Sequence, residues 1–185
     1  MEVDSTIDIQ VPRPMSYLFK VLLGLIQELD FKDINIKVLA KKAGISRQTF
    51  YSNYKTIEDI MIEELDRRAG DFYKLLDTEL MAGNYFNASK KAFILLEMNL
   101  DLFVALQKAD LENTVLDRLD KYLLRIIKIT AGTKELSAKS IFAAHFFAGG
   151  VYMVFSKWVE NNMKTPTAEL ADLFKVCFKL ASSQQ

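Results

Sequence analysis

Arg47 and Gln48 sit side by side in the stretch SRQTFYSNYK, residues 46 to 55, and each carries a side chain that can form two parallel hydrogen bonds to a base edge. Around them Ser46, Thr49, Tyr51 and Asn53 can donate to phosphate oxygens, Ser52 is close enough to reach a base, and Asn35, Lys37 and Lys55 bring further backbone contacts. The charge agrees with that chemistry. Between Phe31 and Ile57 there are six basic residues, Lys32, Lys37, Lys41, Lys42, Arg47 and Lys55, and one acidic residue, Asp33, although the whole chain has a formal net charge of zero. Any attraction to a polyanion is therefore local.

These side chains need a rigid frame. Apolar residues at Leu18, Leu22, Leu25, Ile26 and Leu29 follow the spacing of an amphipathic first helix that ends near Asp30. Asn35 can cap a short second helix running to Ala43, because its side-chain oxygen accepts an orphan amide of the first turn. Gly44 stops that helix where a positive φ costs glycine least. Ser46 can cap a third helix of about two turns, and Thr56 with Asp59 forms a capping-box pattern at the start of a long fourth helix. Ala40 is small where the second and third helices cross, and Ile45 and Phe50 anchor them. The pattern reads as a helix-turn-helix that frees the polar face of its second helix for a major groove. The alternative, an ordinary helical corner with solvated cations, does not account for caps, spacing and charge together.

The stretch NIKVLAKKAGISRQTFYSNYKTIEDIM, residues 35 to 61, resembles the N-terminal DNA-binding domain of the TetR/AcrR family of transcriptional regulators. Leu39-Ala40, Ala43-Gly44-Ile45-Ser46, Tyr51, Tyr54 and Glu58 to Ile60 carry the likeness by type and spacing. FFAGGVYMVFSKWVENNMKTPTAELADLF, residues 146 to 174, is more loosely similar to the last two helices of a TetR subgroup. The resemblance implies a homodimer, a nine-helix-type fold and an effector pocket in the C-terminal domain that controls operator binding. Three positions depart from the family pattern. Asp30 replaces the glycine that ends the first helix, where a left-handed backbone is expected. Asn35 replaces a threonine, and Ile57 replaces a lysine that touches a phosphate in relatives. Losing that lysine makes the salt slope of binding shallower by ~0.9 per missing contact.

Beyond the helix-turn-helix, helical patterns cover roughly 57 to 81, 86 to 108, 112 to 131, 138 to 162 and 166 to 181, with breaks at Gly83-Asn84, near Asp110, at Gly132-Thr133 and at Lys164-Thr165-Pro166. The fold class is all-α: an N-terminal three-helix helix-turn-helix domain followed by a C-terminal helical bundle for ligand binding and dimerisation. The expected division is a flexible tail over 1–13, a DNA-binding domain over 14–56 and an effector-binding and dimerisation domain over 57–185. Phe93, Leu96, Phe103, Tyr122 and Ile126, with His145, are candidates to line an effector cavity, although core packing alone explains most of them. His145, the one histidine, lies among Ile141, Phe142, Phe146 and Phe147, where a hydrogen-bonded core role outweighs a ligand role. Gly149-Gly150 in mid-helix costs ~1 kcal/mol per glycine against alanine. A close helix approach would compensate, either at a dimer interface or inside one subunit. The interface reading adds Phe146, Met153, Val154, Lys157, Phe174 and Phe178.

Composition closes off other classes. Half of the 185 residues are hydrophobic, and three prolines and seven glycines leave room for a compact helical core. The N-terminus MEVDSTIDIQV lacks the basic and apolar runs of a secretory signal. Cys177 cannot form a disulfide within the chain and fits a reducing cytoplasm. The nearly uncharged run from Ile141 to Ser156 is shorter than the ~20 residues of a membrane span and reads as a buried helix. One histidine and one cysteine cannot assemble a usual metal site, no cofactor motif is visible, and no nucleophile has a credible base. The reading is a cytoplasmic homodimeric repressor on a palindromic DNA operator, controlled by a small-molecule effector. Its rival is a co-regulator of the same fold that acts through a protein partner.

Overall fold

The computed structural model describes the backbone of residues 14–182 and the side chains of residues 17–174. The tail over 1–13 lies outside the described residues. Among those described, every regular element is helical: α1 (Pro14–Glu28), a 3₁₀ turn (Phe31–Asp33), α2 (Ile36–Ala43), α3 (Arg47–Tyr51), α4 (Glu58–Met81), α5 (Tyr85–Met98), α6 (Leu100–Lys108), α7 (Glu112–Ala131), α8 (Ala138–Glu160) and α9 (Thr167–Ser182). They form two compact units that divide between Glu64 and Leu65, inside α4.

In the first unit α2 packs on α1 and α3 packs on α2. Leu22, Leu39, Phe50, Ile60 and Met61 are essentially solvent-free. The expected caps form. Asn35 Oδ1 accepts from the Val38 amide at 3.1 Å, Ser46 Oγ accepts from the Thr49 amide at 2.9 Å, and Asp59 Oδ2 accepts from the amides of Lys55 and Thr56 at 2.8 and 2.9 Å. Those backbone donors hold the Asp59 carboxyl below the ordinary aspartate range. Gly44 has φ +68°, and the Ile45 amide reaches back to the Ala40 carbonyl at 3.0 Å, closing α2 with a left-handed cap.

Two local expectations change here. Asp30 has φ −64° and ψ 142°, an extended conformation, so the chain leaves α1 through a 3₁₀ turn and no left-handed residue is required there. The third helix has only five residues, a little over one turn. Its own C-terminal side chains end it: Ser52 Oγ donates to the Gln48 carbonyl at 2.9 Å and Asn53 Nδ2 donates to the Thr49 carbonyl at 2.8 Å.

The second unit buries two clusters. Leu76, Leu80, Tyr122, Leu123, Ile126, Ala144 and Ala148 join α4, α7 and α8. In the other, Phe93 meets Phe155, Trp158 and Phe174 edge-on with ring centroids 4.7, 5.3 and 5.6 Å apart. The single helix expected over 86 to 108 is two, broken at Asn99, whose Nδ2 donates to the Leu95 carbonyl at 2.7 Å. Pairings from Asp66 to Arg118, Tyr73 to Tyr122 and Asp77 to Arg125 run in the same direction, so α4 and α7 lie parallel.

The buried-helix reading of residues 141 to 156 needs correction. The helix that forms, α8, is 23 residues long, long and apolar enough to cross a membrane by length and composition, and only 17 % of its most apolar window is buried. Ala144, Ala148, Tyr152, Phe155 and Trp158 face into the unit, whereas Phe142, Phe146 and Met153 are 73, 76 and 64 % exposed. Packing on one side leaves the other side bare.

Candidate nucleic-acid interface and effector cavity

The caps at Asn35, Ser46 and Thr56 bring three helix starts around one open groove of about 510 Å³ in the first unit. Lys32, Asn35, Lys37, Arg47, Tyr51 and Lys55 line it, with Thr56, Ile57 and Glu58 at its far side. Asn35 takes the Val38 amide, and the Ile36 and Lys37 amides at the start of α2 have no helical carbonyl to bond, so the groove offers backbone donors as well as cations. Among the described residues no ion pair engages Lys37, Lys41, Arg47 or Lys55. Lys42 differs, because its Nζ lies 2.7 Å from the Glu28 carboxylate. Lys32 sits 3.6 Å from Asp30, both well exposed.

Arg47, Gln48, Thr49, Tyr51, Ser52 and Asn53 are all exposed, as are Asn35, Lys37, Ser46 and Lys55. The two tyrosines separate. Tyr51 is 59 % exposed, whereas Tyr54 is 6 % exposed, and burial followed by its hydrogen bond with Glu63 pushes its hydroxyl pKa upward. Thr49 Oγ1 is 2.9 Å from Ser46 Oγ, and Ser52 and Asn53 are engaged with α3 carbonyls, so these three are also structural caps. Ile57 is 7 % exposed and gives the groove an apolar wall.

In the second unit a cavity of about 130 Å³ opens between α4, α5, α6, α7 and α8, and a second of about 80 Å³ adjoins it. Leu96 and Phe103 line the first, and Phe93 and Tyr122 line the second. Ile126 and His145 line neither. Ile126 is packed in the α4–α7–α8 cluster, and His145, a half-exposed side chain, turns its Nδ1 to within 2.7 Å of Asp120 Oδ1. The expectation of a core histidine fails because Ile141, Phe142 and Phe146, on its side of α8, are themselves exposed.

Sequence reasoning missed the polar residues of the first cavity. Arg68 Nη1 donates to Asn99 Oδ1 at 3.0 Å and to Asp101 at 2.9 Å, and Arg118 donates to Asp66 at 2.9 and 3.2 Å and to Asp117 at 3.0 Å. The detectable signal was a charge on an apolar stripe: Arg68 lies between Leu65 and Phe72 at helical spacing. Burial opposes ionisation of Asp101, but the Arg68 hydrogen bond and the Leu102 amide outweigh it and hold that carboxyl low. Burial pushes Tyr73 up to about 12, so its ring adds no charge to the cavity.

The candidates for a contact between copies also separate. Phe146, Gly150, Met153 and Lys157 are exposed, Gly149 and Val154 are half-buried, and the Phe178 side chain lies outside the described residues. Phe174 is 8 % exposed in the aromatic cluster and is unavailable to a partner. A Cβ added at Gly149 or Gly150 would meet nothing within 4 Å, so close packing inside the unit does not explain the pair among the described residues.

Comparisons place this geometry among known proteins. No curated protein matches the sequence. Solved structures share the fold at low identity. Lin0861 from Listeria innocua is 21 % identical with a TM-score of 0.71, covering 90 % of this chain and 90 % of that one. The transcriptional regulator FadR from Bacillus subtilis, in complex with stearoyl-CoA, is 20 % identical with a TM-score of 0.59, covering 92 % and 98 %. The dihydroxyacetone kinase operon activator DhaS is 18 % identical with a TM-score of 0.56, covering 91 % and 95 %. Residues 83–179, more than half of the chain, match the family model for a TetR-type transcriptional regulator C-terminal region. With that match behind the all-helical fold, the chain belongs to the TetR family of transcriptional regulators.

Proposed function

We propose that the protein is a cytoplasmic homodimeric repressor that binds a palindromic DNA operator and is released by a small-molecule effector held in the second unit. The observation that carries the reading is the groove around α2, α3 and the start of α4, where Lys37, Arg47 and Lys55 have no ion-pair partner among the described residues. Arg47 and Gln48 read bases, and Asn35, Lys37, Ser46, Thr49, Tyr51 and Lys55 hold the backbone. Ser52 and Asn53 fix the end of α3. Lys55, two residues before the buried Ile57, takes over the phosphate contact that the family lysine makes. Residues 14–56 are the DNA-reading part and 57–185 the effector and dimerisation part, with α4 crossing from one to the other.

Two-fold symmetry sets the recognition helices in successive major grooves, ~34 Å apart. Repression asks only that the bound dimer occupy a promoter, a smaller demand than the additional contact with polymerase that activation requires. The apolar cavity at Leu96 and Phe103 supports an effector, and the FadR structure with stearoyl-CoA gives an instance of a ligand in this fold. The test is selection of bound duplexes from a random library at moderate salt, repeated with Arg47→Ala. A two-fold symmetric motif that relaxes at one base position in the variant, at a cost of ~1–3 kcal/mol, supports the reading. Equal loss on cognate and scrambled duplexes makes Arg47 a phosphate contact only, and no enrichment by the wild type refutes autonomous recognition.

The second reading, a co-regulator that works through a protein partner, draws on the exposed Phe142, Phe146 and Met153 of α8. It separates from the first in the same selection, since a co-regulator alone enriches no motif.

A further inference from the structure

The larger chamber of the second unit is walled by rings. Phe72, Tyr73, Phe103, Tyr152 and Phe155 all line it. Several of them are braced from behind or beside: Tyr73 stacks flat on Tyr122 with centroids 3.9 Å apart, Phe155 stands at right angles to Phe93 at 4.7 Å, and Phe103 meets Tyr152 at 47° and 5.8 Å. The walls are therefore in place before a ligand arrives, and binding need not order them. A flat aromatic ring placed among them meets ring faces, which are negative, and ring edges, which are positive. Each face-to-edge contact adds to what burial alone supplies.

The charges that line the same chamber are already answered. Arg68 pairs with Asp101 at 2.9 Å, and Arg118 pairs with Asp66 at 2.9 Å and with Asp117 at 3.0 Å. An anionic ligand would have to displace an aspartate from its arginine, and a cationic one would face two guanidiniums. Either loses its water without gaining a free partner. Water itself finds few partners against hydrocarbon and aromatic walls. An uncharged apolar compound meets none of these obstacles.

Size decides the rest. A dry cavity of ~150 Å³ accommodates benzene, and this chamber of about 130 Å³ has room for about one ring. The adjoining chamber of about 80 Å³ is smaller still, and Phe72, Leu119 and Phe155 line both. A chain as long as the stearoyl group of the FadR ligand outgrows the two together. Building on the effector-controlled reading above, we propose that the larger chamber binds an uncharged, single-ring aromatic compound of benzene or toluene size, and that Leu119, shared by the two chambers, keeps two-ring compounds out.

The experiment is a fluorine NMR titration of the full-length protein with fluorobenzene, followed by displacement with benzene, toluene, cyclohexane, naphthalene, benzoate and methyl octanoate. The wild type binds fluorobenzene, and benzene displaces it about threefold to tenfold more tightly than cyclohexane, the gain expected of ring–ring contacts. Benzoate is weaker than toluene by about tenfold or more because its charge finds no free partner. Ala69, half-buried on α4, lines the chamber, so Ala69→Leu fills it and weakens fluorobenzene by about tenfold or more without lowering the melting temperature. Val115→Phe serves in its place should that variant unfold. Leu119→Ala, or the milder Leu119→Val should the first unfold, joins the chambers and raises naphthalene affinity by about tenfold while fluorobenzene changes little. The proposal is overturned if fluorobenzene does not bind, if cyclohexane, benzoate or methyl octanoate binds tighter than toluene, if folded chamber-filling variants bind as the wild type does, or if naphthalene is unmoved when Leu119 is cut back. No readout involves DNA. Duplex selection that succeeds beside a failed titration keeps the repressor and removes this ligand class, and the converse result does the reverse.

Discussion

Substitution of Lys55 by Gln tests the groove and the stoichiometry together. Each phosphate neutralised by a lysine contributes ~0.9 to the slope of log affinity against log salt on B-DNA. Lys55 is exposed, lines the groove and has no ion-pair partner among the described residues, so although its charge helps hold the Asp59 carboxyl low, no ion pair ties the ammonium down before a phosphate arrives. In a dimer the substitution removes two contacts and makes the slope shallower by ~1.8, in a monomer by ~0.9. Between 50 and 200 mM salt the dimer value corresponds to about a tenfold shrinkage in the advantage of the wild type over the variant. Lys42→Gln is the control. Its ammonium already lies 2.7 Å from Glu28, and the slope should barely move because the charge is spent inside the unit. The assay is fluorescence anisotropy on the selected duplex at five salt concentrations. Equal slope changes for Lys55→Gln and Lys42→Gln, or none for Lys55→Gln, would refute the argument that free cations in this groove carry the binding.

Other outcomes follow from packing and titration. Phe93→Ala removes a ring that touches Phe155, Trp158 and Phe174 and should cost ~3–5 kcal/mol, read by chemical denaturation; a loss below 1 kcal/mol would mean that the cluster collapses into the gap. The Asp59 carboxyl has a lowered folded pKa, so its cap contributes stability above the unfolded value of about 3.9, and that contribution is lost as pH falls through the folded value. Thermal melts between pH 6 and 2 should therefore show an acid-side loss that Asp59→Ala reduces by the Asp59 share alone, leaving the shares of Asp101, Asp117 and Glu79, and an unchanged acid limb would mean that the cap contributes nothing. Phe146→Glu places a charge on the 76 % exposed ring position of α8 and should leave the monomer folded while shifting sedimentation from dimer to monomer at micromolar concentration. A wild type that sediments as a monomer would sink the homodimer.

What could be read from the sequence was what is decided within a few residues. Asn35, Gly44, Ser46 and the Thr56–Asp59 pair are caps whose donors and acceptors lie three or four positions apart, and the structure forms each of them. The shortness of α3 was missed although its cause is local, because Ser52 and Asn53 were assigned outward to DNA when their side chains bond back to α3 carbonyls. Burial on α8 and α9 was illegible for another reason. Phe146 and Phe174 are the same residue on two amphipathic helices, and the packing of Phe93 from α5 and Phe155 from α8 around Phe174 decides that one is bare and the other enclosed. Cavities are harder still: Phe93 and Ile126 both face inward, yet of the two Phe93 alone lines either chamber described above.

The bare face of α8 carries two costs that the described subunit does not offset. Gly149 and Gly150 lose about 1 kcal/mol each against alanine in a helix interior, and no neighbouring atom lies where their missing side chains would be. On the same stripe, at spacings of four and seven residues, Phe142, Phe146 and Met153 leave large apolar surfaces in water, each worth ~1.5–3 kcal/mol if covered. A second copy of α8 crossing at the glycine pair would meet both demands, since the small residues let two backbones approach while the flanking rings cover one another. Three such side chains from each of two copies give on the order of 10 kcal/mol before the cost of association, which is itself ~4–15 kcal/mol. That balance is close enough that α8 alone does not guarantee a tight dimer. Leu173, 49 % exposed on α9, offers further apolar area for the same contact. The strength of the dimer in solution therefore rests on how much further apolar area, such as Leu173, joins the α8 face in the contact.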